Sequence, residues 1–368
     1  MHHFTCARGK VTIGLDLGDK HSHYHALDAN GRSVGRGRLE TTPEVFRAHF
    51  SAMKSARIVV EAGTHSPWVS RLLTELEHEV LVANPRQLPL IYRNTKKSDQ
   101  TDPENLARVG RLDPNLLKPL EHRSKRTQVD LATLRARDSL VAARTKLINH
   151  VRGSVKPLGA KVPSCSAPHF HHKAPAFIPV ELQAVLAPVV KMIEELTRQI
   201  RHYDKVIERE LCVKHSATIV LQQIDGVGPL TALAYVLILA DPRRFRDSRT
   251  VGAYLGLTPR KDDSGEQQPQ LRITKAGDPF LRRLLVSSAQ YILGPFGPDT
   301  DLKRFGEALA RRGGKNARKR AVVAIARKLA VLLHRLWLTG EVYEPLRKRP
   351  QPERNLGASR DCSSVTTD

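Results

Sequence analysis

Residues 11–17, with the sequence VTIGLDL, decide the fold of the first part of the chain. Val11, Ile13 and Leu15 alternate with smaller or polar neighbours, and this period of two indicates a β-strand. The stretch DANG at residues 28–31 indicates a turn, because an Asn-Gly pair adopts the positive φ angles of a tight hairpin. A second strand before this turn and a third strand after it complete a predicted β-meander.

Two further apolar stretches extend the predicted sheet. Residues 57–61 (RIVVE) and 79–83 (EVLVA) are typical of strands, and residues 67–78 between them are typical of a helix. Strands that alternate with helices predict an α/β domain, here over residues 10–118.

The chain becomes helical beyond this domain. Leu134, Val141 and Ile148 recur every seven residues, and a proline-rich loop follows over residues 153–179. A second heptad pattern comes after the loop, at Val189, Ile193, Leu196, Ile200, Tyr203 and Ile207. We therefore predict a helical hairpin or coiled coil over residues 119–215. The helix that packs on this seam belongs either to the same chain or to a second chain, because heptads do not identify the partner.

The remaining residues divide into a folded part and a tail. Residues 216–348 are rich in apolar helical stretches and predict a mainly α C-terminal domain. Residues 349–368 are polar and rich in Pro, Ser and Thr, so we expect a disordered tail.

The charge of the chain points to a polyanionic partner. It carries 60 Lys and Arg against 37 Asp and Glu, a net charge of +23. So large an excess repels itself in a compact fold unless an anion offsets it, and nucleic acid is the usual one. A ribosome-associated or membrane-surface protein is the alternative. No apolar run approaches the ~20 residues of a membrane span, and four distant cysteines suit a reducing compartment, so we expect a cytoplasmic, nucleoid-associated protein.

Four carboxylates form the strongest candidate site. Asp16 and Glu61 stand at the ends of apolar strands, where an unpaired buried carboxylate is costly. Asp99 and Asp102 are three residues apart, a spacing that places both side chains on one side of a helical turn. Pro103 favours the first helical position, which predicts Asp102 as the N-cap. Mg²⁺ prefers hard oxygen ligands, and a bound Mg²⁺ would explain all four carboxylates. The alternative is a separate role for each: a strand-end turn for Asp16, a surface position for Glu61, and helix capping for the Asp99/Asp102 pair.

The order Asp, Glu, Asp-x-x-Asp on this strand pattern resembles the RNase H-like fold of Holliday-junction resolvases. It resembles more closely the DEDD transposases of bacterial insertion sequences, the IS110 group. The family-like stretches of the first half are residues 14–16, 60–64, 84–85 and 97–102. Those of the second half are residues 253–260 (AYLGLTPR), 263–265 (DSG), 273–278 (ITKAGD) and 281–285 (LRRLL). Pro103 departs from the alanine that the family usually has.

The resemblance implies a serine that attacks DNA and becomes linked to a 5′ phosphate. The Ser-Gly pair of the family matches Ser264 and Gly265, so Ser264 is the predicted nucleophile. Thr274 is the second candidate, and a contact to phosphate is its expected role. Without the resemblance, a serine beside a glycine indicates an ordinary turn.

Several further residues are candidates for nucleic-acid contacts. Gly226 and Gly228 precede a helix whose exposed N–H groups can hold a phosphate, although a plain helix connection has the same pattern. Residues 301–350 hold 14 Lys and Arg against 4 Asp and Glu. The remaining predicted contacts are Lys97, Thr274, Lys275, Arg282, Arg283, Arg318, Lys319 and Arg320.

Two histidine groups are predicted to be exposed rather than metal-binding. His169, His171 and His172 lie in the proline-rich loop without paired ligand spacing. His21, His23 and His25 alternate along the second strand and are expected to form one exposed face.

We therefore expect a transposase that recombines donor and target DNA with Mg²⁺. The resemblance, and no feature of composition or spacing, implies guidance by a bridge RNA and a homodimer that assembles to a tetramer. A metal-dependent junction nuclease and a non-catalytic nucleic-acid-binding protein are the alternatives.

Overall fold

The computed structural model describes residues 11–85, 101–260 and 271–347. The chain divides into two compact units, residues 1–124 and 125–368, each of which is described by itself. The predictions that lie outside the described residues are those for Lys97, Asp99, Ser264 and the tail 349–368.

The first unit contains a five-stranded sheet in the order β3-β2-β1-β4-β5. The strands are β1 (Thr12–Leu17), β2 (His21–Leu27), β3 (Ser33–Glu40), β4 (Arg57–Glu61) and β5 (Glu79–Ala83). Strands β1, β2 and β3 pair antiparallel, whereas β4 is parallel to both β1 and β5. The predicted meander and the two later strands are confirmed.

Helices cover both faces of this sheet. The helices are α1 (Pro43–Ser51), α2 (Ser66–Glu75) and α3 (Thr101–Leu112). Helices α1 and α2 pack on the face that carries Ile13, Leu15 and Ile58. Helix α3 packs on the opposite face, where Leu106 joins Val59 in a smaller core. Successive side chains of a strand point to opposite faces, so one short apolar strand such as β4 supplies both cores.

The close approach of α3 to β1 depends on a glycine. A Cβ atom at Gly14 would lie 1.9 Å from the carbonyl oxygen of Pro103 and 2.7 Å from the amide nitrogen of Ala107. Both obstructing atoms are backbone and cannot rotate away, so only glycine fits at this position.

Two expectations for this unit are wrong. Helix α3 already begins at Thr101, so Asp102 is a helical residue and not the N-cap. Pro103 is tolerated there because the first turn leaves its backbone nitrogens without helical acceptors. His25 is buried at 8% exposure. It pairs across the sheet with Gly14 and shares the face that α3 covers, which its strand alone did not reveal.

The second unit is mainly helical. Its helices are α4 (Lys125–Ser154), α5 (Phe170–Lys173), α6 (Val180–Val206), α7 (Cys212–Lys214), α8 (Ala217–Leu221), α9 (Pro229–Leu239), α10 (Thr250–Tyr254), α11 (Pro279–Ile292), α12 (Asp301–Arg311) and α13 (Ala317–Thr339). The mixed α/β first half and the mainly helical remainder are both confirmed. The domain boundaries predicted from the sequence remain predictions.

Helices α4 and α6 pack on each other as an antiparallel hairpin. Arg144 donates to the hydroxyl of Thr197 at 3.3 Å, and Arg137 pairs with Asp204 at 2.9 Å. The residue number rises along one helix as it falls along the other, so the two helices run in opposite directions. The heptad seam therefore has a partner within this chain. Thr197 is buried where the heptad pattern predicted Leu196.

The loop between α4 and α6 differs from expectation at one histidine. His171 is buried at 9% exposure beneath the hairpin, not exposed. Its ring contacts that of His172, with 3.9 Å between the centroids and a tilt of 41° between the rings. The spacing of the histidines along the sequence does not report this burial.

The core of the second unit surrounds helix α9. Residues 231–239 of this helix are all buried, as its uninterrupted apolar sequence requires. The Tyr235 hydroxyl donates to the carbonyl oxygen of Ala330 at 2.6 Å, and burial raises the pKa of this tyrosine well above its ordinary value. Of the helices described, none is both long and apolar enough to cross a membrane.

Candidate active site

Two of the four predicted carboxylates lie side by side at one end of the sheet. Strands β1 and β4 are parallel, and Leu15 pairs with Val60, so Asp16 and Glu61 occupy the next positions at the same end of the sheet. Asp16 follows Gly14 by two residues and therefore shares the face of Gly14, which α3 covers. The same alternation places Glu61 on the face of Val59, whose side chain abuts α3 at Gly110.

A third carboxylate lies on the helix that covers this face. Asp102 is in the first turn of α3 and adjoins Pro103, whose carbonyl oxygen faces Gly14. Asp16, Glu61 and Asp102 are each partly exposed to solvent. The structure thus brings three of the four predicted acids to one end of one sheet face.

The donor chemistry at this edge suits a divalent cation. Neighbouring carboxylates repel each other, and a divalent ion with hard oxygen ligands offsets that repulsion. In the described parts of the chain, no three His, Cys, Asp or Glu side chains form a group that could hold a metal. Asp16, Glu61 and Asp102 therefore do not form such a group by themselves, and Asp99 lies outside the described residues.

The turn after Glu61 is fixed by a hydroxyl that the sequence did not reveal. The amide of Gly63 donates to the buried Oγ of Ser66 at 2.9 Å, and Nε2 of His122 lies 2.9 Å from the same oxygen. Burial lowers the pKa of His122, and the nearby charges of Arg71 and Arg123 lower it further. Ser66 and His122 are 56 residues apart, so no local pattern could have paired them.

The two arms that flank residues 261–270 pair with each other. Arg260 donates its amide to Arg272, Thr274 to Thr258, and Lys275 to Gly256, at 2.9, 2.9 and 3.1 Å respectively. We call these paired arms, residues 256–260 and 272–275, the hairpin stem. The predicted nucleophile Ser264 belongs to the segment that the stem encloses, outside the described residues.

The second candidate nucleophile is part of the stem itself. Thr274 is partly exposed, and its hydroxyl accepts from the amide of Ala276 at 3.5 Å. Lys275 beside it has a left-handed backbone with φ of 56° and an exposed side chain. The stem therefore holds a hydroxyl and a cation next to each other.

Two arginines predicted to contact phosphate make contacts within the protein. Nη1 of Arg282 donates to the carbonyl oxygens of Leu255 and Gly277, both at 3.1 Å. Arg283 pairs with Asp138 of helix α4. Arg282 thus bonds to backbone and the half-exposed Arg283 forms an ion pair, and their contacts to phosphate remain predictions.

The glycine turn before α9 leaves a groove beside it. Gly226 has φ of 89°, in the region that favours glycine. Gly228 precedes the first residue of α9, and a Cβ atom added to it would meet nothing within 4 Å. The groove has a volume of about 470 Å³ and is lined also by Thr231, Ser287 and Tyr291. The backbone at this helix start thus lies beside a space large enough for a phosphate group.

A cluster of basic residues lies at the start of helix α13. Arg318, Lys319 and Arg320 are exposed in its first turns. Cations are unfavourable at a helix N-terminus, where the helix dipole is positive. A bound anion would offset this cost, which supports the predicted contact to nucleic acid.

Family comparisons agree over both halves of the chain. The family model described as "Transposase IS116/IS110/IS902 family" matches residues 219–300. A second model, described as a transposase and of the DEDD type of IS110 elements, matches residues 13–158. This second match indicates a divalent metal ion, and it spans Asp16, Glu61, Asp99 and Asp102.

Individual relatives are similar over most of the chain. A probable family 20 transposase of Pseudomonas aeruginosa is 28% identical and covers 90% of this chain and 98% of that protein. The transposase for insertion sequence element IS1111A of Coxiella burnetii is 29% identical, with 90% of each chain covered. A putative transposase of Sinorhizobium fredii is 30% identical over 90% of this chain and 85% of that protein. The chain therefore belongs to the IS110/IS116/IS902 family of transposases, enzymes that cut and rejoin DNA.

Proposed function

We propose that this transposase mobilises its insertion sequence by site-specific recombination between donor and target DNA. In this proposal Asp16, Glu61, Asp99 and Asp102 hold Mg²⁺, and Ser264 is the nucleophile. A bridge RNA pairs with both DNA molecules, and a homodimer that assembles to a tetramer carries out the exchange.

The observation that carries the proposal is the shared placement of Asp16, Glu61 and Asp102. Two adjacent parallel strands and the helix over them deliver three carboxylates to one end of one sheet face. Neighbouring carboxylates raise the electrostatic cost of one another, and a divalent cation would offset that cost. Asp99, three residues before Asp102, completes the ligand set.

The sheet order supports an RNase H-like fold for the first unit. An antiparallel meander of three strands is followed by two strands parallel to the first, with helices on both faces. The hairpin of α4 and α6 supports an intramolecular coiled coil in the middle of the chain.

Mg²⁺, when bound, polarises the reacting phosphate and neutralises charge that develops on its oxygens. The protein supplies the remaining steps. Ser264 forms a bond from its Oγ to phosphorus, while the bond from phosphorus to the 3′ oxygen breaks. The serine loses its proton and the departing 3′ oxygen gains one, which leaves a 3′ hydroxyl and a 5′ phosphoserine link.

The exposed cations of the second unit support the nucleic-acid partners. Arg318, Lys319 and Arg320 lie at a helix start that is already positive, and the groove at Gly226 and Gly228 adjoins another. Lys97 belongs to the segment that carries Asp99, and Lys275 adjoins Thr274 in the hairpin stem. These positions suit phosphates of DNA and of the bridge RNA.

The test is to trap the covalent intermediate. The protein is incubated with its element DNA, the flanking RNA and Mg²⁺, and the protein–DNA adduct is located by mass spectrometry. We expect the adduct on Ser264, its loss in Ser264→Ala, and its retention in Thr274→Ala. An adduct on Thr274 would refute the assignment of the nucleophile.

Two variants separate the competing functions. A junction nuclease that uses water would still cut DNA after Ser264→Ala. A non-catalytic binding protein would retain every activity after Asp16→Asn, whereas we expect this change to abolish cutting and to leave DNA binding in place.

A further inference from the structure

We propose that Arg282 is a positioning residue that fixes the hairpin stem, and that an ion-pair clasp between helices α4 and α11 holds this arrangement in place. The inference rests on the proposed role of Ser264, whose segment the stem encloses. It replaces the expectation that Arg282 and Arg283 contact phosphate.

The first step of the argument is the position of the Arg282 guanidinium between the two arms. One nitrogen, Nη1, donates to Leu255 on one side and to Gly277 on the other, both at 3.1 Å. Leu255 directly precedes the first arm and Gly277 follows the second arm by two residues, so both carbonyls lie at the same end of the stem. A single cation thus ties the chain entering the stem to the chain leaving it.

The second step is the tight packing between the same two segments. A Cβ atom at Gly277 would lie 2.6 Å from Cα of Leu255, and one at Gly256 would lie 2.7 Å from the carbonyl carbon of Lys275. The obstructing atoms are backbone, so the arms can approach this closely only at glycines. Arg282 therefore joins two segments that already touch.

The third step is the clasp to the helical hairpin. Asp278 caps α11 by accepting from the amide of Leu281 at 3.0 Å, and its other carboxylate oxygen pairs with Arg135 of α4. One turn along, Arg283 of α11 pairs with Asp138 of α4. Helix α4 contributes the arginine to one pair and the aspartate to the other, so the two pairs define how the two helices align.

An aromatic ring completes this clasp. The Phe280 ring is buried, with the guanidinium of Arg135 at 4.9 Å from its centroid and that of Arg283 at 5.5 Å. Both arginines are thus oriented by a ring and a carboxylate together. We call the two bonds of Arg282 the clamp; clamp and clasp together connect the stem to the long helix α4.

The test compares a positioning role with a phosphate contact. In Arg282→Gln we expect amide hydrogen exchange in peptides covering the stem arms, residues 256–260 and 272–275, to accelerate by about tenfold or more. The rate of adduct formation should fall by a similar factor, with the Kd for DNA and its salt dependence unchanged. A phosphate contact predicts the reverse. Exchange would be unaltered, and the slope of log affinity for DNA against log salt would be lower by about 0.9. Arg209→Gln removes an exposed charge elsewhere in this unit and is the matched control.

Charge reversal tests the clasp. Arg283→Asp and Asp138→Arg should each accelerate exchange in the same peptides, and the double variant should restore protection. Failure of the double variant to restore it, while circular dichroism remains native, would overturn the clasp. If Arg282→Gln does not fold, Arg282→Lys keeps the charge and one donor group, and we expect an intermediate exchange rate; protection equal to that of the unchanged protein would overturn the clamp.

The exchange measurement is independent of the identity of the nucleophile. If Ser264 is not the nucleophile, the unchanged protein gives no adduct at this residue, yet the effect of Arg282→Gln on exchange persists. If the positioning role is wrong, the adduct forms on Ser264 and exchange does not respond.

Discussion

Replacing Gly14 by alanine should separate helix α3 from strand β1 and disturb the carboxylates. The added Cβ would lie 1.9 Å from the carbonyl oxygen of Pro103, whereas ordinary contact begins at 3.4 Å. Helix α3 must therefore move by about 1.5 Å, the difference between these distances. The overpacking should cost about 3 kcal/mol, the upper end of the usual range, because the obstructing atoms are backbone.

The same displacement carries Asp102, which adjoins Pro103, away from Asp16. A shift of about 1 Å in a catalytic group can lower the rate about 100-fold, so we expect adduct formation to fall by this order. Stability is measured by urea denaturation and activity by single-turnover adduct formation.

Gly63→Ala is the matched control, since a Cβ atom at Gly63 meets nothing within 4 Å although Gly63 also lies near Glu61. It should leave stability within about 0.5 kcal/mol of the unchanged protein. If Gly14→Ala has the stability and the rate of this control, the packing of α3 against β1 does not position the site.

Three further predictions concern the core, the pH response and the basic surface. Tyr235→Phe removes the bond to Ala330 and should lower the free energy of unfolding by about 1 kcal/mol, measured by thermal and urea denaturation; an unchanged value would show that this bond contributes nothing. Burial lowers the pKa of His49 and of His122 from 6.5 in the folded protein, so the unfolded chain binds more protons below that value. Stability of the first unit should hold above pH 6.5 and fall as the pH drops below it, whereas an increase on acidification would contradict the sign. Arg318→Gln should lower the slope of log affinity for DNA against log salt by about 0.9, while Lys191→Gln, an exposed charge on α6, should leave it unchanged; equal slopes for both variants would place Arg318 away from the DNA.

The strands were predictable because their signal is local. Val11, Ile13 and Leu15 alternate as a half-buried strand does, and β4 and β5 are short apolar runs between polar segments. Helix α9 was equally evident, since its residues are apolar on every side. The sequence also predicted that Asp16 and Glu61 lie near strand ends, whereas the parallel pairing that makes their strands neighbours is visible only in the structure.

Features that depend on distant residues were not predictable. The burial of His25 follows from the passage of α3 over β2, and β2 itself carries no sign of this. Arg283 looked like a phosphate ligand because its partner Asp138 is 145 residues away. The start of α3 was misplaced for a local reason, since proline is compatible with any position of the first helical turn.

The claim on which the account depends is that Asp16, Glu61, Asp99 and Asp102 share a metal ion. The most direct measurement is a crystal structure of the protein soaked with Mn²⁺, in which anomalous scattering locates the ion. The account predicts an anomalous peak within about 2.5 Å of carboxylate oxygens from these four residues. An anomalous peak at another place, with the four carboxylates pointing apart, would contradict it.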